Sequence, residues 1–571
     1  MNPTNYPFYS TWTNMWGLLI ILSLVSASCR VGSPQEIGVV ADHAMVVTAH
    51  PLATQVGLDI LKKGGNAFDA AIATQFALAV VYPAAGNIGG GGFMVARNAQ
   101  GRTFALDFRE MAPAGASRDM YVDSTGAIIE DLSWFGHMAV GVPGSVAGMQ
   151  TLHDSLGTLP WEELVQPAVD IALQGVTLTE KEAKMLNEKW TYIQDHNTRP
   201  NVYTQKENWQ AGDVIRHTEL AQTLGLIRAQ KSQGFYEGPV ADSIVAEMQR
   251  GGGLITLEDL KNYQAIWRKP ISGSYRDLRV ISMPPPSSGG IALLQMLQSV
   301  EPYPLAQWGW HDSRTIHLMV EAERRAYADR ATHLGDPDYY PVPIENLIDT
   351  AYVRKRMADF DPFAASVSQE IAAGQFVESE ATTHFSIIDS MGNAVSLTTT
   401  LNGSYGSCVV VGGMGFFLNN EMDDFSSKPG VPNKFGLLGA EANAIQPGKR
   451  MLSSMTPTIL TRNNDLYMVV GTPGGSTIIT SVFQNILNVH EFQFSMQASV
   501  SAPRFHHQWR PDTIFKEATT FSLRDEAKLE ALGHKIYKRG NIGRVDAIWK
   551  RPDGKLEAGA DPRGDDTAKG Y

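Results

Sequence analysis

A threonine hydroxyl becomes a nucleophile only when a base takes its proton, and residues 382–402 of this 571-residue chain gather hydroxyls where that could happen. The run Thr382-Thr383-His384-Phe385-Ser386-Ile387-Ile388-Asp389 precedes the turn residues Ser390-Met391-Gly392-Asn393 and the run Ala394 to Asn402 (AVSLTTTLN). This reads as strand, turn, strand. Folding the hairpin about its turn sets Thr383 opposite Thr400, and a one-residue bulge sets Thr382 there instead. In either register Thr382, Thr400 and the Asn402 amide converge at the open end. Upstream, Ala364 to Ala381 (AASVSQEIAAGQFVESEA) is small, polar and weakly patterned, and reads as an exposed linker. One base available to Thr382 is its own α-amine, with a pKa of about 7.7–8.0, which exists only once the Ala381–Thr382 bond is cut. The same residues equally suit an ordinary sheet, because β-branched side chains favour strands. Spacing alone leaves both readings open.

Other chemistries have weaker support. The glycines of Gly89 to Gly92 lack the Lys-Ser/Thr of a phosphate loop and read as backbone packing. His506 and His507 are adjacent, so on a strand they point to opposite faces and make a poor metal pair. His490-Glu491 lacks the second histidine of a zinc protease, and Ser145 lacks the flanking glycines of a nucleophile elbow. Two cysteines, Cys29 and Cys408, are too few for a disulfide framework or a cysteine zinc site, and Cys408 reads as part of a strand. Taken singly, Arg109 suits a surface ion pair, Asp423-Asp424 a solvated turn, and Ser453-Ser454 a cap.

The elements around the hairpin are mixed α and β. Ala53 to Lys63 has helical periodicity and stops at Gly64-Gly65; Ala67 to Val81 is apolar enough for a buried helix. Ser313 to Arg330 reads as an amphipathic helix with Ser313 as N-cap, and Phe93–Ala96, Phe385–Ile388 and Tyr467–Gly471 read as strands. Hydrophobic residues at 43% and charged residues at 19% describe a globular chain with a sizeable core. A net charge of −12 argues against nucleic acid or an anionic membrane as the main partner. Residues 1–28 carry no charged side chain, and Gly17 to Val25 is a short apolar run before Ser26-Ala27-Ser28. That run is too short to span a bilayer but suits an export signal. Cleavage after Ser28 would leave Cys29 first, as in a bacterial lipoprotein, although Ser26 stands where such signals usually have Leu. The expected location is periplasmic or extracellular, with Cys29 a candidate lipid anchor and no transmembrane helix.

The run TTHFSIIDSMGNAVSLTTTLNGSYGS, followed by NNEMDDFSSKPGVPN, RMLSSMTPTI, GTPGGS and APRFHHQW, closely resembles bacterial gamma-glutamyltranspeptidase. The upstream blocks GGNAFDAAIA, GNIGGGGF, LDFREMAP and GVPGSVAG follow the same order, so the resemblance covers about Gly38 to Tyr571. It implies an α+β, four-layer αββα sandwich of the N-terminal nucleophile hydrolase type. One precursor would cleave itself between Ala381 and Thr382, so that a large subunit (29–381) and a small one (382–571) intertwine as a heterodimer around one core. The implied activity moves the γ-glutamyl group of glutathione and other γ-glutamyl compounds onto Thr382, then to water or to an amino-acid or peptide acceptor, with no metal and no cofactor. By resemblance Thr382 is the nucleophile, Thr400 positions its hydroxyl, and Gly474 and Gly475 supply the oxyanion N–H groups. Arg109, Ser453 and Ser454 would hold the substrate α-carboxylate, and Asn402, Glu421 and Asp424 its α-ammonium. A cephalosporin or glutaryl acylase of the same family is the alternative. The stretch Pro432 to Asn443 resembles a lid whose gating aromatic is usually Tyr; here it is Phe435. Without the ring hydroxyl, a looser lid and more hydrolysis relative to transfer are expected.

Overall fold

The two Thr-rich runs pair as antiparallel strands, Thr382–Ile388 with Ala394–Thr400, in the register that sets Thr382 opposite Thr400 and Ile388 opposite Ala394. Asp389 selects it. Its carboxylate accepts from the Met391 and Asn393 backbone N–H groups, so it joins the turn and the loop has one residue more than an even fold-back would give. Gly392 provides the positive φ, +88°, that this turn needs.

In the computed structural model, Met1 and residues 36–368 and 382–571 are described. The chain divides into a short N-terminal unit, Met1–Glu36, and a body, Ile37–Tyr571. The expected signal, Cys29 and Ala381 lie outside the described residues.

Around the hairpin the body forms a seven-stranded sheet in the order Thr567–Gly570, Met45–Thr48, Thr382–Ile388, Ala394–Thr400, Gly91–Arg97, Thr103–Phe108, Ile266–Arg268, every pair antiparallel. The second seven-stranded sheet runs Val39–Ala41, Leu556–Gly559, Asp546–Lys550, Asp465–Gly471, Thr458–Arg462, Leu278–Ser282, Ile271–Tyr275. Residues before 368 and after 382 alternate within both sheets. The composition change near 381 therefore does not separate two domains.

Side-chain alternation builds the layers. Phe385, Ile387, Val395 and Leu397 pack outward in the same apolar cluster as the helices Pro51–Lys62, Ala67–Val81 and Trp161–Gln174. The opposite face turns inward, where Ile388 and Ala394 join Ile459, Val469 and Ile548 of the second sheet. Beyond that sheet, Val280, Leu460 and Met468 pack with the helices Gly289–Val300, Ser313–His333 and Ile478–His490. The architecture is a four-layer αββα sandwich. Each buried Leu, Val or Phe contributes roughly 1.5–3 kcal/mol over exposure, before the entropy of ordering is charged against it.

Part of the inter-sheet layer is polar. Ser386 Oγ donates to Asp546 O at 3.0 Å and Ser396 Oγ to Val470 O at 3.0 Å, joining the two sheets. His384 lies between Thr398 Oγ (2.9 Å) and Ser386 Oγ (3.1 Å), and burial pushes its pKa down to about 3, so it stays neutral. Ala67–Val81 is buried at every position, as its unbroken apolar run requires, and starts with a reciprocal cap between Asn66 and Asp69.

Three expectations need correction. The N-cap of the 313–333 helix is Asp312, whose carboxylate accepts from Arg314 N; Ser313 is its first residue. The described start of the expected linker is docked, because Ala365 N donates to Leu532 O and Ser368 N to Asp512. Cys408 lies in a bend with φ +61°, not in a strand. Among the described residues no helix is long and apolar enough to cross a membrane.

Candidate active site

Thr382 is the first residue of its strand and is buried; its Oγ lies 3.4 Å from Thr400 Oγ. Thr400 Oγ accepts from Asn402 N at 2.7 Å, leaving its own hydrogen to be directed elsewhere. Asn402 takes a left-handed φ of +69°, which Asn tolerates, and its amide donates to Asn420 O. The backbone of Thr400 is held from behind: Asn87 Nδ2 donates to Thr400 O, and Asn87 Oδ1 accepts from Ser145 Oγ at 2.6 Å. Gly90 lies so close that a Cβ there would sit 2.1 Å from Thr400 O, which explains the glycine run as close backbone packing.

Arg109 follows the strand Thr103–Phe108 and is fully buried. Nη1 pairs with Glu421, Nη2 with Asp424 at 2.5 Å, and Nε donates to Met451 O. The residues expected to hold opposite ends of a substrate therefore pair with one another. Burial opposes the guanidinium charge, but Glu421, Asp424 and Glu110 together outweigh it and raise the Arg109 pKa further. One cation cannot neutralise three buried acids. Burial accordingly raises Glu421 well above the usual range and raises Asp424 as well, against the pull of Arg109.

Sequence reasoning passed over Glu110. Both its carboxylate oxygens are buried without a donor, Arg109 Nη1 is 3.7 Å away, and Glu421 adjoins it with its own Oε2 unsatisfied. A proton held between the two carboxyls would satisfy both. Burial pushes Glu110 up to about 7. The folded protein thus keeps a proton that the unfolded chain releases near pH 4.5. This group therefore contributes a loss of stability as pH rises through that window, at most about 1.4 kcal/mol per pH unit. Glu110→Gln is expected to flatten this slope, measured as denaturation midpoints at pH 5 and pH 7.5. An equal loss in variant and wild type would refute it.

Arg330 is a second residue that the sequence reading missed. It lies on the 313–333 helix, which is buried on nearly all its faces, so hydrophobic periodicity gave no signal for it. Nη2 donates to Ser454 Oγ at 3.2 Å and Nε to Ser288 Oγ, so the Ser454 hydroxyl hydrogen is directed away from Arg330. Ser453 Oγ accepts from Met455 N. Asp423, beside Asp424, accepts from Ser133 Oγ, and burial pushes it up to about 7.

Gly474 and Gly475 precede the helix Ile478–His490 through a short 3-10 turn, where backbone N–H groups lack intrahelical acceptors and the helix dipole is positive. Their φ values, +133° and +53°, favour glycine. The Phe435 ring covers Gly475, since a Cβ there would lie 2.7 Å from it, and packs edge-on against Trp134 at 5.6 Å. The Asn433 amide, two residues before Phe435, reaches Asp424 at 3.4 Å.

One narrow cleft is lined by Thr382, Thr400, Arg109, Asn402, Glu421, Asp424, Ser453, Ser454, Gly475 and Phe435, ten residues singled out from the sequence. Gly474 adjoins Gly475, and Ala381 is outside the described residues. His317, Glu321 and His534 also cluster, but Glu321 is engaged by Arg324, Arg325 and Ser366 N, which disfavours a cation there.

The profile of the family described as gamma-glutamyltranspeptidase matches residues 53–571. The glutathione hydrolase proenzyme of Escherichia coli (strain K12) is 44% identical over 536 residues, spanning 93% of this chain and 92% of that protein. Among solved structures, a cephalosporin acylase from Bacillus halodurans is similar with a TM-score of 0.83 at 28% identity, covering 100% of this chain and 99% of that one. Helicobacter pylori gamma-glutamyltranspeptidase is similar with a TM-score of 0.56 at 41% identity, covering 60% of this chain and 96% of that one.

Proposed function

The chain belongs to the gamma-glutamyltranspeptidase family, and from that premise we propose that it cleaves the γ-glutamyl amide of glutathione and related compounds through an ester on Thr382. Water or the amine of an amino acid or peptide then takes the acyl group. The observation that carries this reading is a buried Arg109–Glu421–Asp424 cluster in the same cleft as a Thr382–Thr400 hydroxyl pair.

A zwitterionic glutamyl head suits the cluster because it exchanges ion pairs like for like. Its carboxylate replaces the acids opposite Arg109, and its ammonium replaces Arg109 opposite Asp424 and Glu421. No buried charge is left unpaired, whereas a head with only one charge would strand one.

Maturation and turnover use the same atoms. Thr382 Oγ attacks the Ala381 carbonyl and the acyl group shifts from nitrogen to oxygen, which frees the α-amine; water then hydrolyses the ester, separating the two chains and restoring the Thr382 hydroxyl. That amine then takes the Thr382 proton as Oγ attacks the γ-carbonyl, and returns it to the departing amine. In this reading the N–H groups of Gly474 and Gly475 receive the developing oxyanion. Large (29–381) and small (382–571) subunits result, and the 1–28 segment supports export.

The acylase alternative draws on the similarity to the Bacillus halodurans structure, but a glutaryl chain has no ammonium for Asp424. Comparing release of anilide from γ-glutamyl and glutaryl anilides tests the choice. A glutaryl rate equal to the γ-glutamyl rate would overturn the reading. Phe435→Tyr restores the usual gating hydroxyl and is expected to raise the transfer-to-hydrolysis ratio; an unchanged ratio would show that the ring hydroxyl is immaterial.

A further inference from the structure

The lid is fastened by a group remote from it in sequence. Gln508 is buried, and its Nε2 lies 3.1 Å from Gly436 O and 3.3 Å from both Phe435 O and Arg510 O. Three carbonyls around one end make that end the donor, so Oε1 is the acceptor. Oε1 lies 2.8 Å from His506 Nε2, which must then carry the imidazole hydrogen. His506 Nδ1 is left to accept, and Thr480 Oγ stands 2.8 Å from it. Burial pushes His506 down to about 3, consistent with a neutral ring holding one fixed tautomer. Thr480 belongs to the Ile478–His490 helix, which follows directly on Gly474 and Gly475.

We propose that Gln508, oriented by His506, is the latch that holds the lid closed over Thr382, bonding the lid backbone at Phe435 and Gly436. The chain Thr480–His506–Gln508–lid ties the cover to the helix behind the oxyanion glycines. Because it grips main-chain carbonyls, it operates without a hydroxyl on residue 435. Gln508 is a positioning residue, not a catalytic one. Its effect on acyl transfer rests on the function proposed above, but its grip on the lid does not.

Trypsin provides a readout independent of activity, because Lys434 precedes Phe435 within the lid. Cleavage in a folded protein tracks the opened population. Gln508→Met keeps the side-chain length but loses the bonds to the lid, and Gln508→Glu turns carboxylate oxygens toward carbonyls. Both variants are expected to be cut after Lys434 roughly ten-fold faster than wild type, the factor for losing about two neutral hydrogen bonds. Their thermal midpoints should change little, and their transfer-to-hydrolysis ratio should fall. Folded variants with the wild-type cleavage rate would overturn the latch. If neither variant folds, wild type decides: the bond after Lys434 must resist trypsin under native conditions, and prompt cutting there would equally overturn the proposal. Faster cutting with no catalytic activity in any form would uphold the latch and sink the functional reading.

Discussion

Thr382→Ala is expected to leave the mature protein as one uncut chain with γ-glutamyl-anilide turnover reduced by at least about 10³–10⁴-fold, the usual scale for losing an activated nucleophile. A single substitution does both because, in the proposed mechanism, the same Oγ serves self-cleavage and turnover. No neighbour can replace it: Thr400 Oγ is 3.4 Å away, but Thr400 ends the strand Ala394–Thr400 with its nitrogen in a peptide bond, so it has no α-amine to act as base. Thr382→Ser keeps hydroxyl and amine, and is expected to mature slowly and retain partial activity. Intact mass and N-terminal sequencing are the checks, with a wild-type small fragment beginning at Thr382. Cleavage at that bond in Thr382→Ala would sink the nucleophile assignment, as would an uncut wild-type chain with full activity.

Arg109→Lys should lower kcat/KM by roughly 10²–10³-fold, mostly through KM. Truncating one partner of a buried, hydrogen-bonded charge pair costs about 2–5 kcal/mol. Lys keeps the charge but loses the planar fork that reaches Glu421 and Asp424 together. Arg109→Met removes the charge as well and leaves Glu421, Asp424 and Glu110 buried around an apolar side chain. Breaking a buried pair in this way costs about 3–5 kcal/mol of stability, so this variant is expected to fold poorly at neutral pH. Steady-state kinetics and urea midpoints separate the two effects. A wild-type KM in Arg109→Lys would show that the substrate carboxylate does not depend on the fork.

Glu110 and Arg330 show how the site extends past its obvious members. Arg109-Glu110 is one dipeptide, yet only the arginine stood out in sequence, because an exposed ion pair and a buried proton-sharing carboxyl look alike in one dimension. Arg330 stood in the sequence only as the last residue of an expected amphipathic helix. Only the packed helix shows that it is buried and that Ser454 lies within its reach.

What the sequence determined by itself was local. Alternation made the two strands of the hairpin, and an unbroken apolar run made the buried 67–81 helix. The family motifs then named ten of the residues that line one cleft. The register of the hairpin was already ambiguous by one residue, because it depends on whether Asp389 turns its carboxylate into the loop. Everything that joins distant segments was decided in three dimensions. Arg109 meets Glu421 across 312 positions, Arg330 meets Ser454 across 124, and Gln508 meets Phe435 across 73. Propensity and period act over a few residues, whereas these meetings depend on which sheet faces are buried together. That choice belongs to the whole core, since it is made where apolar area leaves water and every stranded polar group must find a partner.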